Sequence, residues 1–175
     1  GADLLMETAK NFQFSMTNLQ TLFVFVGGTE EDLKNYKLKA ISYKLDNVML
    51  AGHRPHQEIY CWLKAADILI LPNSAKYEIS RSFTSPLKLF EYMASGTPIV
   101  ASDLPSIREV VSEKEVLFFK SDDANDLAGK IKYALSNRDE MLSKSESAGQ
   151  KVLNYTWPKR AEKIFSFIIL LTSMK

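Results

Sequence analysis

The sequence predicts an α/β fold in which a doubly wound parallel sheet carries helices on both faces. Two observations lead there. Short apolar runs alternate with longer segments of helical periodicity along the whole chain. Those runs, TLFVFV, NVMLA, ILIL and IVA, are continuously apolar rather than alternating, as strands buried on both faces must be. With 175 residues, 46% of them hydrophobic, there is material for one sizeable core in a single domain.

In order, Leu4 to Phe12 reads as a helix, and Thr21 to Val26 as a buried strand ending at Gly27-Gly28. Thr29 with Glu30, Glu31 and Asp32 reads as a capped, acidic first turn of a helix running to Leu45. Asn47 to Ala51 is a second strand closed by Gly52, His56 to Ala66 a helix, and Ile68 to Leu71 a third strand ending at Pro72. A polar loop from Asn73 to Thr84 follows. After the next helix comes a strand at Ile99 to Ala101, a short helix from Pro105 to Ser112, and a fifth strand from Val116 to Phe119. Ser121, Asp122 and Asp123 open a helix to about Leu135, and the segments Arg138 to Leu153 and Pro158 to Leu171 are helical. In such a sheet, ligands sit outside the carboxyl ends of the strands. The loops at Gly27, Gly52–Pro55, Asn73–Thr84 and Ser102–Pro105 all open on that edge.

The densest signal is SPLKLFEYMASGTPIVASD, Ser85 to Asp103. Ser85 caps a helix with Pro86 at its first position, where the missing N–H costs nothing, and Gly96 and Pro98 end it. Helical spacing gathers Leu87, Leu89, Phe90, Met93 and Ala94 on one side and turns Lys88 and Glu91, three apart, the other way. A cation and a carboxylate thus share the open face of a helix whose first turn offers free N–H groups, a fit for a phosphate-bearing ligand with a diol beside it.

Other chemistry is thin. A net charge of +1 gives no general reason to expect nucleic acid or an anionic membrane. One cysteine, Cys61, argues against a disulfide framework and suits a reducing, cytoplasmic compartment. The longest apolar run, Ile164 to Leu171, is shorter than the roughly 20 residues a spanning helix needs. His53 and His56 lack partners at metal-ligand spacing, and Asp122-Asp123 suits a helix dipole better than a metal. Gly27-Gly28 lacks a full dinucleotide fingerprint and reads as a tight turn. Tyr155 and Trp157 read as packing anchors.

FVGG, NVMLAGHRP, AADILILPN, SPLKLFEYMASGTPIVASDLPSIREVV and NYTW together resemble the C-terminal half of GT-B glycosyltransferases, of the large retaining group 1, family 4 type. The resemblance runs over nearly the whole chain and is most specific at Ser85–Asp103. It implies a Rossmann-like, nucleotide-sugar-binding domain over residues 1–175, the donor half of a two-domain hexosyltransferase. The N-terminal acceptor domain and the first strand of the donor domain would then be absent, and the fragment inactive alone. Two features of the sequence agree with a piece of something larger. It begins in a helix, and residues 154–175 form a helix with a wide apolar surface, suited either to the missing domain or to burial in its own core.

The resemblance also implies roles. Glu91 matches the family glutamate that accepts both ribose hydroxyls, and Lys88 the lysine that neutralises the diphosphate. Ser85, Pro86 and Leu87 match the helix start that meets phosphates and sugar, with Thr84 in the loop before it. His53 and Arg54 match the turn that contacts the base, by position more than by side chain. Phe83 stands where many members carry a second glutamate near the transferred sugar. The expected partner is a UDP-, GDP- or ADP-linked sugar, with no cofactor, metal or nucleic acid, and peripheral membrane association of the whole protein in polysaccharide or glycolipid synthesis. No catalytic residue is singled out. A non-catalytic nucleotide- or partner-binding module, or a phosphorylase or epimerase of the same architecture, remain alternatives.

Overall fold

A computed structural model describes residues 1–13, 21–83 and 87–173. The chain runs α1 (Ala2–Gln13), β1 (Phe23–Val26), α2 (Glu30–Ser42), β2 (Val48–Gly52), α3 (His56–Ala65) and β3 (Leu69–Leu71). A turn of π-helix (Ile79–Phe83) leads to α4 (Leu87–Ser95), β4 (Ile99–Ser102), α5 (Pro105–Arg108) and β5 (Leu117–Phe119). The last elements are α6 (Ala124–Ser136), α7 (Arg138–Val152) and α8 (Trp157–Ser173).

Among the described residues all strand pairs are parallel. β1 pairs with β2, Phe23 opposite Val48, and β3, β4 and β5 form a second sheet in that order. β4 shows why the apolar run reads as doubly buried. Ile99 and Ala101 enter a cluster with Leu89 and Met93 of α4 and Ala148 of α7, whereas Val100 enters one with Ala9 and Phe12 of α1 and Leu127 and Ile131 of α6. Alternate side chains of one strand therefore feed two layers. Phe23 of β1 joins the second cluster beside Val100 and Phe119, so one core spans both sheets.

Local signals set several boundaries. Thr29 and Asp32 form a reciprocal capping box: Thr29 Oγ1 accepts the Asp32 N–H at 3.1 Å, and Asp32 Oδ2 accepts the Thr29 N–H at 2.9 Å. Hydrogen bonds from the Thr29 main chain and hydroxyl hold the Asp32 carboxyl below its ordinary pKa.

Other boundaries move. α6 does not begin at Ser121. Asp123 caps it, accepting the Asn125 and Asp126 N–H groups, while Asp122 takes a left-handed φ of 62° outside the helix. α5 ends at Arg108, its chain passing into turns closed by the Val110 and Val111 N–H groups on Ile107 O. From Trp157 to Leu170 every side chain of α8 is exposed, so this helix is not buried in the core of the described residues. Tyr155 does anchor, its ring 5.1 Å from that of Phe90, but Trp157 stands exposed under the Arg160 guanidinium. Among the described residues no helix is long and apolar enough to cross a membrane.

Glu115 ties the β4–β5 connection to α7. Its carboxylate accepts the Ser112 N–H at 2.7 Å, the Ser112 hydroxyl at 3.0 Å and the Lys151 ammonium at 3.0 Å. Burial pushes this carboxyl up, but the Ser112 and Lys151 donors outweigh it and the pKa lies below the ordinary glutamate value. The native state thus holds the charged form more firmly than the unfolded chain does. The resulting stability is full above about pH 4.5, the unfolded value, and is lost as pH falls through the lower native one. Urea midpoints measured between pH 3 and 7 should show Glu115→Gln less stable than the parent at neutrality, the gap closing in acid.

Candidate functional site

The carboxyl edge of the strands is assembled from five chain segments. Gly27 and Gly28 leave β1 with φ of 104° and 91°, and Gly52 ends β2 with φ of 70°, conformations open to glycine at little cost. The Gly27 N–H donates to Gly52 O at 2.8 Å, joining these two turns. Beyond Gly52 the His53 side chain is exposed. Arg54 is half-buried, its guanidinium 5.3 Å above the Trp62 ring, and its buried Nε has no hydrogen-bond partner among the described residues.

α3 and α4 each follow a strand and so run back from this edge. Their far ends are joined where Thr97 Oγ1 donates to Leu63 O at 2.9 Å. Their starts, with Arg54 two residues before α3 and Lys88 in the first turn of α4, consequently open on the same edge. On α4, Leu89 and Met93 are fully buried and Phe90 packs beside them, while Lys88 and Glu91 are exposed. Neither makes an ion pair or side-chain hydrogen bond among the described residues, so both are free for a ligand. Leu87 and Ala94, expected on the apolar side, are instead exposed. At 100° per residue both lie roughly 140–160° around the helix from Leu89, next to Glu91 rather than Met93. Thr84, Ser85 and Pro86 lie outside the described residues.

Arg108, the cation nearest the end of β4 in sequence, is not free. Its guanidinium forks onto Asp103 through Nε and Nη2, the latter at 3.0 Å, donates to Glu113 at 2.8 Å and lies 4.2 Å over Phe118. That pairing holds the Asp103 carboxyl below its ordinary pKa. A hollow of about 240 Å³ between α1 and α2 is lined by Asp3, Asp32, Asn35, Tyr36 and Lys39. Lys39 is bound to Asp3 at 2.6 Å, leaving carboxylate oxygens that repel a phosphate. The hollow, with its lysine already paired, is therefore poorly suited to an anion. Among the described residues no three His, Cys, Asp or Glu side chains converge as a metal would require.

The segment after β3, expected as a plain loop, is held from across the sheet. Ser102 Oγ donates to Leu71 O at 3.2 Å, Ser121 Oγ to Asn73 O at 3.0 Å, and Asp122 Oδ2 accepts the Ala75 N–H at 2.8 Å. Its π-helical turn carries exposed Arg81 and half-buried Ser82, packs against α5, and leaves Phe83 76% exposed. Nothing in local sequence marks these contacts, because their partners stand 31 to 48 residues away.

A model of the family described as glycosyl transferases group 1 matches residues 1–152. The D-inositol 3-phosphate glycosyltransferase of Corynebacterium urealyticum is 28% identical over 122 residues, 69% of this chain and 27% of that protein. Among solved structures, sucrose-phosphate synthase of Thermosynechococcus elongatus superposes with a TM-score of 0.74 at 21% identity, over 97% of this chain and 43% of that one. Anabaena HepE in complex with UDP gives a TM-score of 0.75 at 17% identity, over 95% and 45%. At these identities the two structures establish the fold alone. The chain spans about a quarter of the length of that curated relative and under half of each of these two solved chains.

Proposed function

This chain belongs to the glycosyl transferases group 1 family, and from that membership we propose that it is the donor-binding half of a two-domain, retaining hexosyltransferase. The donor is a sugar linked to UDP, GDP or ADP, and the acceptor a saccharide or lipid-linked saccharide. The observation that carries this reading is the exposed Lys88 and Glu91 on the outer face of α4, each without a protein partner among the described residues and carried at the carboxyl edge of a parallel sheet. Lys88 places a mobile positive charge where the diphosphate leaves, and that charge stabilises the transition state in which the sugar–phosphate bond breaks. Glu91 accepts protons from both ribose hydroxyls, which orients the nucleotide. His53 and Arg54 are assigned to the base and Leu87 to the phosphate end of α4, and the family match assigns Thr84, Ser85 and Pro86, which lie outside the described residues, to the phosphates as well.

The missing half is proposed on two grounds. β1 and β3 belong to separate sheets, and a further parallel strand preceding Gly1 would join them. Gly1 supports this, lying so close to Pro72 at the end of β3 that a Cβ on it would stand 2.5 Å from Pro72 O. Val24 and Val26 of β1 are 43% and 37% exposed, as expected of a strand with a missing neighbour. The apolar face of α8, with Ile164, Phe165 and Ile168 exposed, then packs on the acceptor domain.

Calorimetric titration with UDP, GDP and ADP tests the donor site. One of them is expected to bind weakly, with no sugar transferred by these residues alone. Absence of binding to all three would favour a non-catalytic module, and measurable turnover would refute the two-domain requirement.

A further inference from the structure

Resting on that donor-site reading, we infer that Asp122 is a positioning residue: its carboxylate sets the course of the chain leaving β3, and through it the nucleotide site. The two neighbouring acids have different tasks. Asp123 satisfies the first free N–H groups of α6, as an N-cap does. Asp122 makes no capping hydrogen bond to that helix. It holds φ at 62°, a conformation L-residues rarely adopt, and its Oδ2 accepts the Ala75 N–H at 2.8 Å across 47 residues.

The bond lies where it matters. Among the described residues no main-chain hydrogen bond from a strand or another helix reaches Asn73 to Lys76. The chain leaving β3 is gripped instead by Ser121 Oγ on Asn73 O and by Asp122 on Ala75, both from the end of β5, two strands away. Ala75 is thereby packed beside the cluster of Leu71, Leu89 and Met93. From that fixed point the chain makes its π-helical turn (Ile79–Phe83) against α5, and the next described element is α4, which carries Lys88 and Glu91. Because Gly would take the same backbone conformation without strain, the acid at this position is accounted for by its side-chain bond.

The test separates the bond from the backbone. Asp122→Gly removes the acceptor and keeps the left-handed turn, whereas Asp122→Asn keeps an acceptor oxygen. Amide exchange at Ala75, calorimetric titration with UDP and thermal melting are compared in the chain. In the glycine variant, exchange at Ala75 should accelerate about tenfold and UDP affinity fall about fivefold, the melting midpoint moving by no more than about 2 °C. The asparagine variant should restore both to near the parent values. Unchanged exchange in Asp122→Gly, or faster exchange with unchanged UDP affinity, would overturn the inference. Should the parent chain bind no UDP, the donor-site reading fails, and exchange at Ala75 alone then upholds or rejects the role of Asp122 in holding this segment.

Discussion

Alanine at Lys88 is expected to weaken UDP binding about tenfold and to leave binding of uridine unchanged. The factor follows from losing one charge-assisted contact, worth about 1.5–3 kcal/mol, with the lower end appropriate to an exposed side chain. The selectivity follows from geometry. Lys88 and Glu91 sit three residues apart on the outer face of α4, so one ligand can meet both with different groups. Glu91→Ala should therefore show the complementary pattern, a loss of about tenfold for UDP that disappears with a 2′,3′-dideoxy analogue. Neither change should alter the melting midpoint, because neither side chain has a protein partner among the described residues. Equal losses for uridine and UDP in the Lys88 variant would place the diphosphate elsewhere.

Phe119→Ala should be the most damaging single change to stability, costing about 3–5 kcal/mol. Phe119 is 1% exposed and lies in the cluster that holds Phe23 of β1 with Val100 of β4, so the cavity would open where the two sheets share their core. For a domain of this size the melting midpoint should fall by about 10 °C. Below that midpoint UDP affinity should persist, since no residue of the proposed site belongs to this cluster. A midpoint within about 2 °C of the parent would show that the two sheets are held together by something other than this core.

Much of the architecture was legible because its causes are local. Thr29, three residues before Asp32, is a helix start by itself, and the two bond as expected. The run Ile99 to Ala101 has no polar side chain to face water, and its neighbours close over both faces. Lys88 and Glu91 could be assigned to the exposed face of α4 from helical geometry alone. Leu87 departs from its expected side for a related reason. Being apolar is not being on the apolar face, and a position far around the helix from Leu89 leaves it in water.

By itself, then, the amino-acid order determined the alternation of strands and helices, their parallel arrangement and the helix that bears the free lysine and glutamate. These rest on periodicity, capping and side-chain chemistry within one or two turns. Tertiary structure alone decided that the strands pair as two and three, that α8 stands uncovered among the described residues, that Arg108 is spent on Asp103 and Glu113, and that Asp122 reaches Ala75 instead of opening a helix. Each of these depends on which groups the closed fold brings within reach, and a hydrogen bond of about 3 Å between residues 47 positions apart has no counterpart in local sequence.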